Sequence, residues 1–180
     1  YYYDNGNIES EGNYNDGLEN GKWKYYYENG QLLEKGNYNK ENYNIISGWD
    51  VDGKQLVSNG NGEMIYYFGK EKNIINYKNG IKHGKYQYFY KNNVVWSEGN
   101  YNNNKLDGKW IFYNEDGSLR GEGIYKNGLE SDGYFEIYHD GKIQETGFYI
   151  DMKKNGKWLY YNESGSIDKV EQYKNGELIE

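Results

Sequence analysis

Short runs of alternating apolar and polar residues recur along this chain, each opened by a glycine. Positions two and four after that glycine are apolar or aromatic: Trp23/Tyr25, Met64/Tyr66, Tyr86/Tyr88, Trp110/Phe112, Phe135/Ile137 and Trp158/Tyr160. A period of two is the signature of a half-buried strand. Aromatic and β-branched residues suit that pleated surface. Position five is aromatic as well, as Tyr26, Tyr67, Phe89, Tyr113, Tyr138 and Tyr161. Alternation sends it to the opposite face, unless a bulge re-aims it. Glu28-Asn29-Gly30 and Glu115-Asp116-Gly117 follow as tight turns, since Asn-Gly and Asp-Gly tolerate positive φ. A second strand then runs from Leu32 to Tyr38 and its equivalents, and turns such as Lys126-Asn127-Gly128 lead into the next unit.

A tyrosine marks the repeat at Tyr14, Tyr38, Tyr77, Tyr101, Tyr125, Tyr149 and Tyr173, with steps of 24, 39, 24, 24, 24 and 24. Two places earlier stands glycine at Gly12, Gly36, Gly99, Gly123 and Gly147, replaced by Ile75 and Glu171. Six places earlier stands an aliphatic residue, Ile8, Leu32, Val95, Leu119, Ile143 or Ile167, replaced by Glu71 in one unit. A fixed period of this size signals an array of one supersecondary unit. The expected fold is all-β. Tandem β-hairpin repeats form an elongated, twisted, single-layer antiparallel meander. Residues 1–180 make a single array of about seven 24-residue units. The step of 39 is one repeat plus 15 residues, placed as an insertion at about 42–59 that projects from the sheet. Insertions in repeat arrays map to one face, commonly the binding face.

Composition changes the picture in one respect. Ala, Pro and Cys are absent, and aliphatic residues are scarce, while the chain carries 24 Tyr and 25 Gly. Rings must supply much of the buried area, with their polar tips toward water. The formal net charge of −7 argues against nucleic acid and anionic membranes, and suits a basic partner. Lack of cysteine excludes disulfides and thiolate metal sites. No apolar run reaches the roughly 20 residues of a membrane span. The chain opens inside a repeat at Tyr1-Tyr2-Tyr3-Asp4-Asn5-Gly6, which suggests trimming from a longer precursor and leaves the compartment open.

Gly-Lys-Trp-x-x-Tyr-Tyr-x-x-x-Gly, with the following Gly-x-Tyr-x-x-Gly-like step, resembles the MORN repeat. Its bacterial variant, in YwqK-type antitoxins of toxin–antitoxin systems, carries units like Tyr125-Lys126-Asn127-Gly128. The stretch Trp49-Asp50-Val51-Asp52-Gly53-Lys54-Gln55-Leu56 is similar to a segment of those proteins. The resemblance covers nearly the whole chain. It implies hairpin repeats in a single-layer sheet, a binding or scaffolding role and no catalytic motif.

Constellations for chemistry are sparse. His83 and His139 lie in different repeats, without metal-ligand spacing. Gly60-Asn61-Gly62 and Gly121-Glu122-Gly123 precede no helix, so they do not make a phosphate cradle. Asp50-Val51-Asp52-Gly53 lacks the ligand series of a calcium loop. Glu9 and Glu11 are paired carboxylates on a sheet without a pocket. The expectation is a non-enzymatic scaffold without cofactor or metal, for protein–protein interaction. The candidate contacts are Trp23, Tyr25, Tyr86, Tyr88, Trp110, Phe112, Trp158 and Tyr160 on a curved aromatic face, and Trp49, Asp50 and Asp52 on the insertion. Ring stacks between hairpins are the structural alternative for the same aromatics. Trp49 has two roles open to it: a cap over Ile45, Ile46 and Leu56, or a partner anchor. Other readings of the whole are an antitoxin or immunity protein that neutralises a basic toxin, and an exported adhesion module for host protein or glycan. Open sheet edges also allow head-to-tail self-association.

Overall fold

The structure, a computed structural model, describes residues 1–39, 42–125, 133–139, 141–151 and 153–179. The expected turn at Lys126-Asn127-Gly128 lies outside them. The described residues contain strands and turns and no helix. The strands are β1 (Ser10–Asn15), β2 (Leu18–Tyr26), β3 (Leu32–Asn39), β4 (Asn42–Trp49), β5 (Gln55–Ser58), β6 (Asn61–Phe68), β7 (Glu71–Lys78) and β8 (Ile81–Phe89). They continue as β9 (Val95–Asn102), β10 (Lys105–Tyr113), β11 (Leu119–Tyr125), β12 (Gly133–His139), β13 (Lys142–Ile150), β14 (Lys153–Tyr161), β15 (Ile167–Lys174) and β16 (Glu177–Leu178). They pair antiparallel in chain order in one open sheet, as the alternation predicts. The chain divides into two compact units. The first holds Tyr1–Tyr66 and Ile74–Gly84, and the second Tyr67–Asn73 and Lys85–Glu180.

One packing motif recurs in both units, and it explains two glycines for two different reasons. Opposite Gly21 the register breaks: Glu11 pairs with Lys24, while Asn13 pairs with Asn20. One strand advances two residues while its neighbour advances four, which is a bulge. Gly21 takes φ of +67° there, and Gly108 and Gly156 repeat the break with +71° and +73°. L-residues with a Cβ resist that conformation. The bulge turns the following tryptophan over the neighbouring strand. There the second glycine leaves room. A Cβ at Gly99 would lie 2.6 Å from Trp110 Cγ, and the same overlap occurs for Gly12 under Trp23 and Gly147 under Trp158.

The indole is then held on every side. Trp23, Trp110 and Trp158 are 2%, 4% and 0% exposed. Each Nε1–H donates to a backbone carbonyl one residue past the glycine, at Asn13, Asn100 and Phe148, over 3.1–3.2 Å. The marker tyrosines flank the indoles. Tyr14 and Tyr38 lie 5.2 and 5.9 Å from Trp23, and Tyr101 and Tyr125 lie 5.7 and 5.9 Å from Trp110. Mostly edge-to-face geometry at these distances is favourable beyond simple burial.

The residues read as an insertion do not leave the sheet. β4 pairs with β3, β5 pairs with β4, and β6 pairs with β5. The step of 39 is therefore two hairpins, β4–β5 and β6–β7, both shorter than the regular unit. With β5 only four residues long, its turn is tied into the backbone of its neighbours. Gly60 N–H donates to Ile46 O at 2.8 Å, Gly80 N–H to Gly60 O at 2.9 Å, and Ile45 N–H to Gly80 O at 3.0 Å. These bonds satisfy groups that a full-length β5 would otherwise have covered. Ile45, Val57 and Met64 fill the first unit's core beneath them, flanked by Leu33, Tyr43 and Leu56. In the second unit Leu106, Trp110 and Tyr125 form the equivalent cluster.

Candidate binding surface

The tryptophan side of the sheet, hereafter the front, carries most of the expected contact residues, and the structure sorts them into two groups. The buried tryptophans Trp23, Trp110 and Trp158 are spent on packing. Tyr25, Tyr86, Tyr88, Phe112 and Tyr160 are half-buried, with ring edges at the surface. Tyr86 lies 5.3 Å from Trp110, and Phe112 stacks on Phe135 at 6.5 Å.

Sequence reasoning missed the hydroxyl pattern on this side. Cross-strand phenols meet in pairs: Tyr25 with Tyr38 at 2.9 Å, Tyr66 with Tyr77 at 3.2 Å, and Tyr160 with Tyr173 at 3.1 Å. Carboxylates stand beside them. Tyr88 Oη donates to Glu71 at 2.7 Å, and Tyr173 Oη to Glu171 at 2.6 Å. The hydrogen bond to Glu71 pushes Tyr88 up to about 12, and burial pushes Tyr160 up to about 12, so both remain donors at neutral pH. Hydrogen bonds from Lys169, Tyr173 and Tyr160 hold Glu171 down at about 2. The signal was present as fixed offsets between acids and tyrosines, but offset alone does not reveal which groups touch.

Glu34, buried in the first unit as Glu171 is in the second, shifts in the opposite direction, and Tyr66 Oη donates to it. Burial raises its pKa, opposed by the hydroxyls of Tyr66 and Tyr43 and the charge of Lys82. Tyr43 Oη faces this carboxyl without a well-formed hydrogen bond.

The other side, the back, has its own order. Three position-five tyrosines find acids there: Tyr26 donates to Glu11 at 2.6 Å, Tyr113 to Glu98 at 3.2 Å and Tyr138 to Glu136 at 2.8 Å. Ile124 pairs with Tyr134, and Tyr134 with Phe148, in a cross-strand row. Ile124 and Phe148 are 56% and 53% exposed. A shallow cavity of about 160 Å³ beside them is lined by Lys109, Glu122, Ile124, Tyr134 and Glu136.

Trp49, Asp50 and Asp52 lie where β4 turns into β5. Trp49 is half-buried and is not among the side chains packed against Ile45, Val57 and Met64, so of the two roles open to it the cap over Ile45 is not the one it takes. The bulge between Gly48 and Trp49 turns it away. Lys35 Nζ lies 5.7 Å from its ring, and its carbonyl accepts from Tyr27 Oη at 3.0 Å. Asp50 Oδ1 accepts from the backbone N–H groups of Asp52 and Lys54 at 3.1 and 2.8 Å, which commits it to the turn. Asp52 is exposed. Among the described residues no group of three or more His, Cys, Asp or Glu side chains could hold a metal ion. Among the described residues no helix is long and apolar enough to cross a membrane.

Comparison with known families finds the MORN repeat variant at residues 1–16, 19–40, 82–103, 106–127 and 154–175, together more than half of the chain. No curated protein matches. The unmatched stretches contain the two shortened hairpins and β12–β13, where Tyr43, Met64 and Phe135 lie over Gly36, Gly48 and Gly123 in the place of the tryptophan. The indole-on-glycine hairpins and the family matches agree: this chain belongs to the MORN repeat variant family.

Proposed function

We propose that the protein is a non-catalytic binding scaffold whose front side docks a basic protein partner. Repeats of this family are generally protein- or membrane-binding modules. The observation that carries the protein reading is the front's array of paired tyrosine hydroxyls beside carboxylates. Rigid tyrosines expose apolar edges and polar tips at little entropic cost, which is the composition of protein contact surfaces. Net charge of −7 adds steering toward a cationic partner. A toxin neutralised by occlusion is one such partner. The back row Ile124–Tyr134–Phe148 supports a second reading, with contact through an exposed apolar stripe.

Matched baits separate the two. Tyr88→Arg with Tyr160→Arg alters the front, and Ile124→Arg with Phe148→Arg alters the back by the same charge. Partners are captured from the native cell with each bait, after circular dichroism confirms the fold. Front docking is expected to lose the partner only with the front bait. Loss only with the back bait would move the contact to the apolar stripe.

A further inference from the structure

Two sites at equivalent positions of the repeat carry opposite charge. In the second unit Tyr149 pairs with Lys154, Glu145 with Tyr160, and Tyr160 with Lys169. In the first unit Tyr14 pairs with Glu19, Ser10 with Tyr25, and Tyr25 with Glu34. Glu19 thus stands where Lys154 stands, and Glu34 where Lys169 stands. The rings are unchanged: Trp158, Tyr160 and Tyr173 correspond to Trp23, Tyr25 and Tyr38.

The second unit shows what this ring set accepts. Lys154 Nζ lies 4.1 Å from the Trp158 ring centroid, 5.0 Å from Tyr160 and 5.6 Å from Tyr173. It donates to Glu145 Oε2 at 2.5 Å and to Tyr160 Oη at 3.0 Å. Ring quadrupoles attract a cation placed over their faces. In the first unit the corresponding side chain is a carboxylate, and the rings close on one another. Trp23 stacks on Tyr25 with centroids 6.0 Å apart, and Tyr38 approaches Trp23 to 5.9 Å.

The geometry points to a lysine-binding site on the first unit: Glu19 and the exposed edges of Tyr25 and Tyr38, above the sealed Trp23, take the ammonium group of a lysine presented by a partner protein. The guest's ammonium meets Tyr25 and Tyr38 as Lys154 meets Tyr160 and Tyr173 in the second unit, and Glu19 neutralises it as Glu145 neutralises Lys154. This rests on the front side as the docking surface, and names the chemistry it selects. An unmodified lysine fits because the internal guest uses two N–H donors, to a carboxylate and a phenol. A trimethylated ammonium keeps the charge but has no donor.

The test is NMR titration of the ¹⁵N-labelled chain with a short Gly/Lys peptide, and with a twin that carries trimethyl-lysine. In the wild type, shifts are expected at the Trp23 indole N–H and around Tyr25 and Tyr38, with the twin at least threefold weaker. Glu19→Lys supplies an internal guest and is expected to weaken binding tenfold or more. Glu115→Lys, the same charge change in an exposed turn of the second unit, is expected to weaken it less than twofold. Glu19→Gln, which guards against misfolding of the lysine variant, is expected to fall between them. Equal weakening by Glu19→Lys and Glu115→Lys would overturn the site in favour of diffuse charge attraction. Shifts remote from Trp23, an equally tight twin, or no binding of the peptide would overturn it too. If Glu19→Lys still captures the native partner while the front bait does not, the lysine site falls and the docking surface stands.

Discussion

Gly99→Ala is a substitution for which two physical arguments give opposite signs. In a strand interior, alanine in place of glycine normally stabilises by about 0.5–1 kcal/mol, because the unfolded chain loses freedom. Gly99 is different because Trp110 lies on it. The new Cβ would sit 2.6 Å from Trp110 Cγ, and closer still to Cδ2 and Cε2. The indole cannot slide away cheaply. Tyr86, Tyr101 and Tyr125 surround it at 5.3–5.9 Å, and its N–H is bonded to Asn100 O. Overpacking of this kind costs roughly 1–3 kcal/mol, and loss of the indole hydrogen bond adds about 1 kcal/mol. Set against the alanine gain, a net loss of about 2 kcal/mol is expected, or roughly 4–8 °C in Tm for a chain of this size. Urea unfolding followed by tryptophan fluorescence and by circular dichroism gives the value, and coincidence of the two probes checks two-state behaviour. Trp110→Phe in the same chain should recover part of the loss, since a smaller ring clears the methyl. A Gly99→Ala variant as stable as wild type, or more stable, would refute the stacked-indole account of the repeat.

Other expectations follow from single groups. Glu34 has a raised pKa when folded, so its contribution is greatest below the unfolded value and declines as pH rises through the folded one. Glu34→Gln should therefore gain on wild type as pH rises above the ordinary carboxylate range, and a difference that stays constant with pH would contradict the raised pKa. Glu171 is held down at about 2, which is the opposite sign: its stabilisation is present above the unfolded pKa and lost as pH falls toward 2. Glu171→Gln should be less stable than wild type at pH 7 and equal to it near pH 2, as read from urea midpoints. Tyr27→Phe removes the bond to Trp49 O between successive hairpins and should cost about 1 kcal/mol by the same assay.

Most of the sheet was legible because each hairpin pairs with its sequence neighbours. The alternation around Trp110 and Phe112 places β10, and the tyrosine beat places Tyr101 and Tyr125 on the same front side as Trp110. Three features were hidden for identifiable reasons. A spacing of 39 between Tyr38 and Tyr77 gives only a sum, which fits one hairpin plus an insertion as well as two short hairpins. Gly12, Gly99 and Gly147 read as part of a beat, but only the neighbouring strand shows that an indole occupies the space of their side chains. Trp49 sits near Ile45 in sequence, which left a cap and a partner anchor both open, and only the bulge at Gly48/Trp49 shows that it leaves the Ile45 cluster. The site was less legible than the fold. Period and spacing identify rings that share a side, but not that Trp23, Trp110 and Trp158 are sealed while Tyr25, Tyr88 and Tyr160 retain an exposed edge.

The docking side is tested most directly by photo-crosslinking in the native cell. A photoreactive phenylalanine analogue replaces, one at a time, Tyr25, Tyr88 and Tyr160 on the front and Lys24, Ile124 and Phe148 on the back. Mass spectrometry then identifies what each position captures. A basic protein crosslinked from the front positions and from none of the back positions is the expected result. The same protein crosslinked from Ile124 and Phe148, with the front positions silent, would contradict it.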